Sequence, residues 1–161
     1  MASAVKKNQI VGAIVVIALV VGVALAPGGA KGGATTYLDP AHRFSVQLPP
    51  GVTAQDIPAA DGSSETLIFS DGSAGDVQIT ITPWDTTAPL TQASALPDYP
   101  LLNGEVTTPV SVAAVTGFAF EESNPQVSNV WLASGGYLYQ LVGWGNSAAL
   151  LGNITAHWKF F

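Results

Sequence analysis

Val130-Trp-Leu-Ala-Ser-Gly-Gly-Tyr-Leu-Tyr-Gln-Leu-Val142 reads as a strand, a two-residue turn and a second strand. Gly135-Gly136 suits a tight hairpin, because both central residues of such a turn need positive φ. That turn sets Leu132 opposite Tyr139 and Val130 opposite Leu141 on one face. The other face carries Trp131 opposite Gln140, with Ala133, Leu138 and Val142 beside them. Both faces are apolar, so the pair belongs in the middle of a sheet that is covered above and below.

On the C-terminal side, Asn146 or Ser147, after Gly143-Trp144-Gly145, can cap a helix running to about Ala156. Leu150, Leu151 and Ile154 form its apolar stripe, which supplies one cover. Trp158-Lys-Phe-Phe161 then reads as a short strand. Toward the N-terminus, Phe44, Val46 and Leu48 alternate with Ser45 and Gln47 until Pro49-Pro50-Gly51 breaks the strand. Glu65–Ser70 and Val77–Thr82 form a hairpin across the turn residues Asp71-Gly-Ser-Ala-Gly-Asp76. Pro83, Pro89, Pro97 and Pro100 make 83–104 an irregular excursion, with one short helix near Thr91–Leu96. Strands resume at Val106–Val112 and Gly117–Glu121. The expected fold class is α+β, an antiparallel sheet covered by one or two helices, with no internal repeat.

A different chemistry governs the start of the chain. Ile10-Val-Gly-Ala-Ile-Val-Val-Ile-Ala-Leu-Val-Val-Gly-Val-Ala-Leu-Ala26 holds seventeen residues without a charge. As a helix it is about 25 Å long, and extension through Pro27 brings it near the span of a ~30 Å hydrocarbon core. Lys6 and Lys7 precede it and no cation follows until Lys31, so the positive-inside bias places 1–9 in the cytoplasm. Residues 10–27 are therefore expected to be a transmembrane anchor in contact with the lipid bilayer. A cleaved signal sequence is the alternative, with Ala24-Leu25-Ala26 or Gly28-Gly29-Ala30 as the cut. The glycine-rich stretch 28–36 reads as a flexible linker, and 37–161 as one extracytoplasmic domain.

All eleven carboxylates follow Ala30, and Arg43 and Lys159 are the only cations of 37–161, a formal charge of about −9. Such a surface repels phosphates and argues against nucleic acid as a partner. Cysteine is absent, which excludes disulfides, thiolate ligands and a lipoprotein anchor.

Tyr37-Leu-Asp-Pro-Ala-His-Arg-Phe-Ser-Val-Gln-Leu-Pro-Pro-Gly51 resembles the opening of PsbP-like domains: a Tyr, then Phe-Ser-Val, then Pro-Gly. Val110-Ser-Val-Ala-Ala-Val-Thr-Gly117, the Gly-Gly hairpin and the Ile154…Trp158-Lys-Phe-Phe161 ending resemble the same family, over most of 37–161. The resemblance implies an α/β sandwich working outside the cytoplasm, often as an accessory or assembly factor, generally without catalysis. It assigns no functional residues.

Catalytic and metal-binding patterns are weak. Asp61, Glu65, Asp71 and Asp76 gather around one hairpin in sequence. The Asp71–Asp76 segment lacks the ligand alternation and terminal bidentate Glu of a calcium loop, so turn geometry explains it better. His42 and His157 would meet only if the first and last strands were neighbours, and two histidines make an incomplete zinc site. Asp39, His42 and Arg43 read as surface polar contacts. Glu121 and Glu122 alternate in a strand and point to opposite faces. No Gly-x-Ser-x-Gly elbow, Ser-x-x-Lys pair or phosphate-binding glycine loop occurs. No catalytic residue, metal ligand or cofactor is expected. Asn153-Ile-Thr155 matches a glycosylation acceptor but falls inside the expected helix. Of the four tryptophans, Trp131 and Trp158 read as core. Trp84 and Trp144 are candidates for partner binding, since large aromatics carry much of the energy of interfaces.

The leading expectation is a non-catalytic, membrane-anchored accessory or assembly subunit whose partners are other membrane or envelope proteins. The alternative is a structural subunit that self-associates into a surface layer or filament. A ligand-binding module or hydrolase is a third class.

Overall fold

The structure, a computed structural model, describes residues 33–72, 75–85, 88–123 and 126–161. The expected anchor or signal sequence at 10–27 lies outside the described residues. No helix among the described residues is long and apolar enough to cross a membrane.

Among the described residues, ten strands build two antiparallel sheets. β1 (Thr35–Leu38), β2 (Phe44–Leu48) and β10 (Trp158–Phe160) form a small sheet in the order β1-β2-β10. β3 (Thr53–Pro58), β4 (Glu65–Ser70), β5 (Asp76–Pro83), β6 (Thr108–Val112), β7 (Val115–Ser123), β8 (Gln126–Ser134) and β9 (Tyr137–Trp144) form a large one. Its order is β3-β4-β5-β9-β8-β7-β6. The helices are α1 (Gln92–Ala95) and α2 (Ala148–Ala156), with one turn of 3-10 helix at Pro100–Leu102. β1 begins at Thr35, so the last two residues of the expected linker already pair with β2.

The Gly-Gly hairpin has the expected register, Leu132 opposite Tyr139 and Trp131 opposite Gln140. Gly135 and Gly136 take φ of 59° and 82°, the left-handed pair that this turn requires. β8 and β9 lie inside the large sheet and both of their faces are used. On the first face, Leu67, Phe69, Val77, Ile79, Ile81, Leu132, Tyr139 and Leu141 pack against Phe44, Val46, Leu48 and Trp158 of the small sheet. Leu150, Leu151 and Ile154 of α2 complete that core. Phe44 stacks on Trp158 with ring centroids 4.1 Å apart, and Tyr139 meets both edge-on. Gly143 admits α2, since a Cβ there would come within 2.6 Å of the Ser147 Oγ. Ser147 occupies the N-cap position without a side-chain capping bond, its hydroxyl being buried against the sheet.

The second cover is the excursion. α1 and the 3-10 turn lay Leu90, Ala95 and Leu102 over Phe118, Phe120, Trp131 and Leu138. Thr91 and Ser94 form a reciprocal capping box that starts α1. The Gln92 side chain fastens the excursion's return, donating from Nε2 to the carbonyls of Leu102 at 2.7 Å and Glu105 at 2.9 Å. Its Oε1 accepts from the Thr107 hydroxyl at 3.2 Å.

β3 is a strand that the sequence pattern does not signal. Its sequence, Thr-Ala-Gln-Asp-Ile-Pro, is exposed at every position and carries no alternation, because an edge strand that packs under nothing needs none.

Candidate functional site

Period-two alternation and the pairing register fix which side chains share each face. Opposite the small sheet, the large sheet shows its second face. The excursion covers the half built on β7, β8 and the start of β9. The other half, over β3, β4, β5 and the end of β9, presents Ile57, Ile68, Gln78, Thr80, Gln140 and Val142, all half-buried or exposed. Neither core cluster takes in a residue of this half. Gln78 Nε2 donates to the Thr80 hydroxyl at 3.3 Å, so a polar stripe runs between the apolar spots.

Trp144 ends β9 on this open face, half-buried and opposite Val127. One step beyond the Val77–Gly143 pair sets Asp76, which is exposed, beside Trp144. On the other flank, Val127 pairs with Glu122, whose carboxylate accepts from Asn129 Nδ2 at 3.0 Å. One cross-strand row therefore reads Glu122, Val127, Trp144, Asp76.

Trp84 lies elsewhere. Its backbone N–H donates to the Gly136 carbonyl at 2.8 Å, at the opposite end of β9, and its ring packs against the second core. Seven strand steps separate the two ends, roughly 23 Å. The structure thus places both tryptophans on one side of the sheet without bringing them together.

Other candidates disperse. Asp61 sits in the β3–β4 turn, where it accepts from the N–H and hydroxyl of Ser63. Glu65 starts β4, while Asp71 and Asp76 lie at its far end. The apparent acidic group is therefore split along a strand, and the described residues hold no cluster of three potential metal ligands. β2 and β10 are neighbours, as the His42–His157 reading required, but the rings stay apart. The His157 carbonyl accepts from the Gln47 N–H, whereas His42 lies beyond the other end of β2. Ser128 donates to Glu121 and Asn129 to Glu122, which fits opposite faces for the adjacent carboxylates. Trp131 and Trp158 are buried in the two cores.

Sequence reasoning missed a buried ionic joint. The reading of Asp39 and Arg43 as surface contacts is corrected: Asp39 is fully buried and Arg43 only 13% exposed. His42, at φ 55°, turns the chain so that Arg43 folds back on Asp39 through its backbone N–H at 2.9 Å, Nε at 2.8 Å and Nη2 at 2.7 Å. Arg43 also pairs with Glu65 of β4 and lies over the Tyr137 ring, 5.2 Å from its centroid. This joint ties the small sheet to the large one. Burial alone would raise the Asp39 carboxyl, but the hydrogen bonds and charge of Arg43 outweigh it and hold the group below its usual range. Beside it, burial first, then the carboxylates of Asp56, Asp39 and Glu65, push the Tyr37 hydroxyl up to about 12. The available signal was that Arg43 is the only arginine in the chain.

Comparison with known folds gives the architecture a class: it is a PsbP-like α/β sandwich. The chain is similar to cyanobacterial PsbP (CyanoP) from Synechocystis sp. PCC 6803, whose solution structure superposes with a TM-score of 0.56 at 11% identity. The match covers 87% of this chain and 100% of that one. A protein from Bacteroides thetaiotaomicron superposes at 0.50 with 12% identity over 80% of this chain, which spans about half (48%) of that protein. No protein-family model matches the sequence. No curated protein matches it either.

Proposed function

We propose that this protein is a non-catalytic accessory or assembly subunit of a larger membrane or envelope complex. Residues 10–27 hold it to the bilayer and the PsbP-like domain of 37–161 works outside the cytoplasm. The observation that carries this reading is the sheet face left open beside Trp144. The excursion covers the neighbouring half of that face, and a half-buried indole where the described residues leave the face open is the kind of residue that anchors a protein interface. The PsbP-like fold supports it, since such sandwiches commonly serve as modules of larger assemblies. The apolar run of 10–26 supports attachment.

A second reading, self-association, draws on β3. This edge strand is exposed at all six positions, with Ile57 42% exposed, and offers an unpaired ladder to another copy.

Gentle detergent extraction of native membranes, followed by sizing and mass spectrometry of what co-migrates, separates the two. The accessory reading expects a fixed set of other proteins at high mass. A homogeneous large particle of this chain alone would replace it with self-assembly, and a lone micelle-bound monomer would overturn both.

A further inference from the structure

We infer that the open half of the large sheet binds a cationic segment of a partner protein, an extended stretch carrying Arg or Lys, with Trp144 as its anchor. This rests on the accessory-subunit reading and specifies the chemistry of the contact.

The geometry supplies both parts of a cation site. Adjacent strands are about 4.8 Å apart, so Asp76 stands one strand spacing from Trp144 on one flank and Glu122 two spacings away on the other. A guanidinium or ammonium lying within about 6 Å of the indole face is attracted by the ring quadrupole. In that position it also reaches the exposed Asp76 carboxylate. Glu122, bonded to Asn129 and set beyond the buried Val127, adds its charge to the field from the covered half. Inward from this row, Gln78, Thr80 and Gln140 offer amides and hydroxyls to a backbone, and Ile68 and Val142 offer apolar spots between them.

Charge selects the occupant. Residues 37–161 hold eleven carboxylates and only two cations. Arg43 is engaged with Asp39 and Glu65. Lys159 alternates with the inward-facing Trp158 and Phe160, so it points out from the small sheet, on the other side of the molecule. The described part of the open face therefore has carboxylates and no cation of its own. An acidic or neutral partner would gain nothing from that field, whereas a basic one is steered to it and seated by the ring.

The test is titration of the full 161-residue chain, in neutral detergent micelles, with a hexaarginine peptide. The 15N-indole resonances are followed, with Trp144 assigned from a Trp144→Phe variant. The expected result is a saturable shift of the Trp144 indole and of the Gln78 and Val142 amides. Trp144→Ala and Asp76→Asn should each weaken binding about tenfold, and Trp144→Phe far less, because a benzene ring retains part of the cation attraction. The proposal is overturned if Asp56→Asn, remote from Trp144, weakens binding as much as Asp76→Asn, which would leave only diffuse counterion attraction. Equal binding of hexaglutamate would also overturn it, as would a Trp144 shift that follows protein dilution and so reports a second copy of the chain. If co-migrating proteins are found in membranes and Trp144→Ala leaves them bound, this inference fails while the accessory-subunit reading stands.

Discussion

Arg43 is where a single residue decides most. Its guanidinium neutralises a carboxylate that has no access to water, and it joins the loop before β2 to the start of β4. Replacing it by alanine leaves Asp39 buried without a cation, a change that typically costs about 3 kcal/mol or more. Urea denaturation of Arg43→Ala at pH 7 should show that loss as a lower midpoint with an unchanged slope. The acid limb carries the same signature. Because the folded Asp39 pKa is depressed, its contribution is fully present above its unfolded value of about 3.9 and disappears as pH falls through the lower folded value. The wild-type chain should therefore lose stability steeply below about pH 4, and Arg43→Ala should lose much less there. The sequence showed the three polar neighbours and a lone arginine, but not their burial. Asp39 and Arg43 are four apart in a loop rather than on a helix, and only the left-handed backbone at His42 makes their side chains converge.

At the scale of elements, the β6–β7 and β8–β9 hairpins contrast. Gly135-Gly136 turns β8 into β9 with residues made for positive φ. Ala113 and Ala114 turn β6 into β7 at φ 49° and 67°, with a Cβ on each. The left-handed region costs an L-residue roughly 1–2 kcal/mol, partly offset in a glycine by the entropy of its unfolded chain. Ala114→Gly should therefore raise stability by about 0.5–1 kcal/mol, read as a higher urea midpoint. The difference tracks what the sequence could reveal. The Gly-Gly turn fixed its own register, and the alternation of Phe44, Val46 and Leu48 and the stripe of α2 were plain. The excursion was visible as a run of prolines with a short helix near Thr91–Leu96, where α1 lies, but its role as a cover was not, because α1, a 3-10 turn and the Gln92 clamp have no period to detect. The open face was harder still: Trp144 could be singled out by its flanking glycines, but its row-mates Asp76 and Glu122 come from strands far away in the chain.

For the molecule as a whole, charge balance dominates. A domain with eleven carboxylates against two cations repels itself at neutral pH, and the compact state feels this more than the unfolded one. Raising sodium chloride from 20 to 300 mM, roughly a threefold to fourfold shorter screening length, should increase the thermal midpoint at pH 7. A fall would mean that attractive pairs such as Arg43–Asp39 outweigh the repulsion. The small sheet carries a different consequence. β1 and β10 flank β2, both antiparallel to it, with Thr35 at the Leu48 end and Phe160 at the Phe44 end. A pull applied through the two ends of the domain would drag the outer strands in opposite directions along the central one. Their ladder bonds, lying across the pull, would have to fail together in shear instead of opening one at a time. Whatever hangs from this module is gripped mechanically by three short strands.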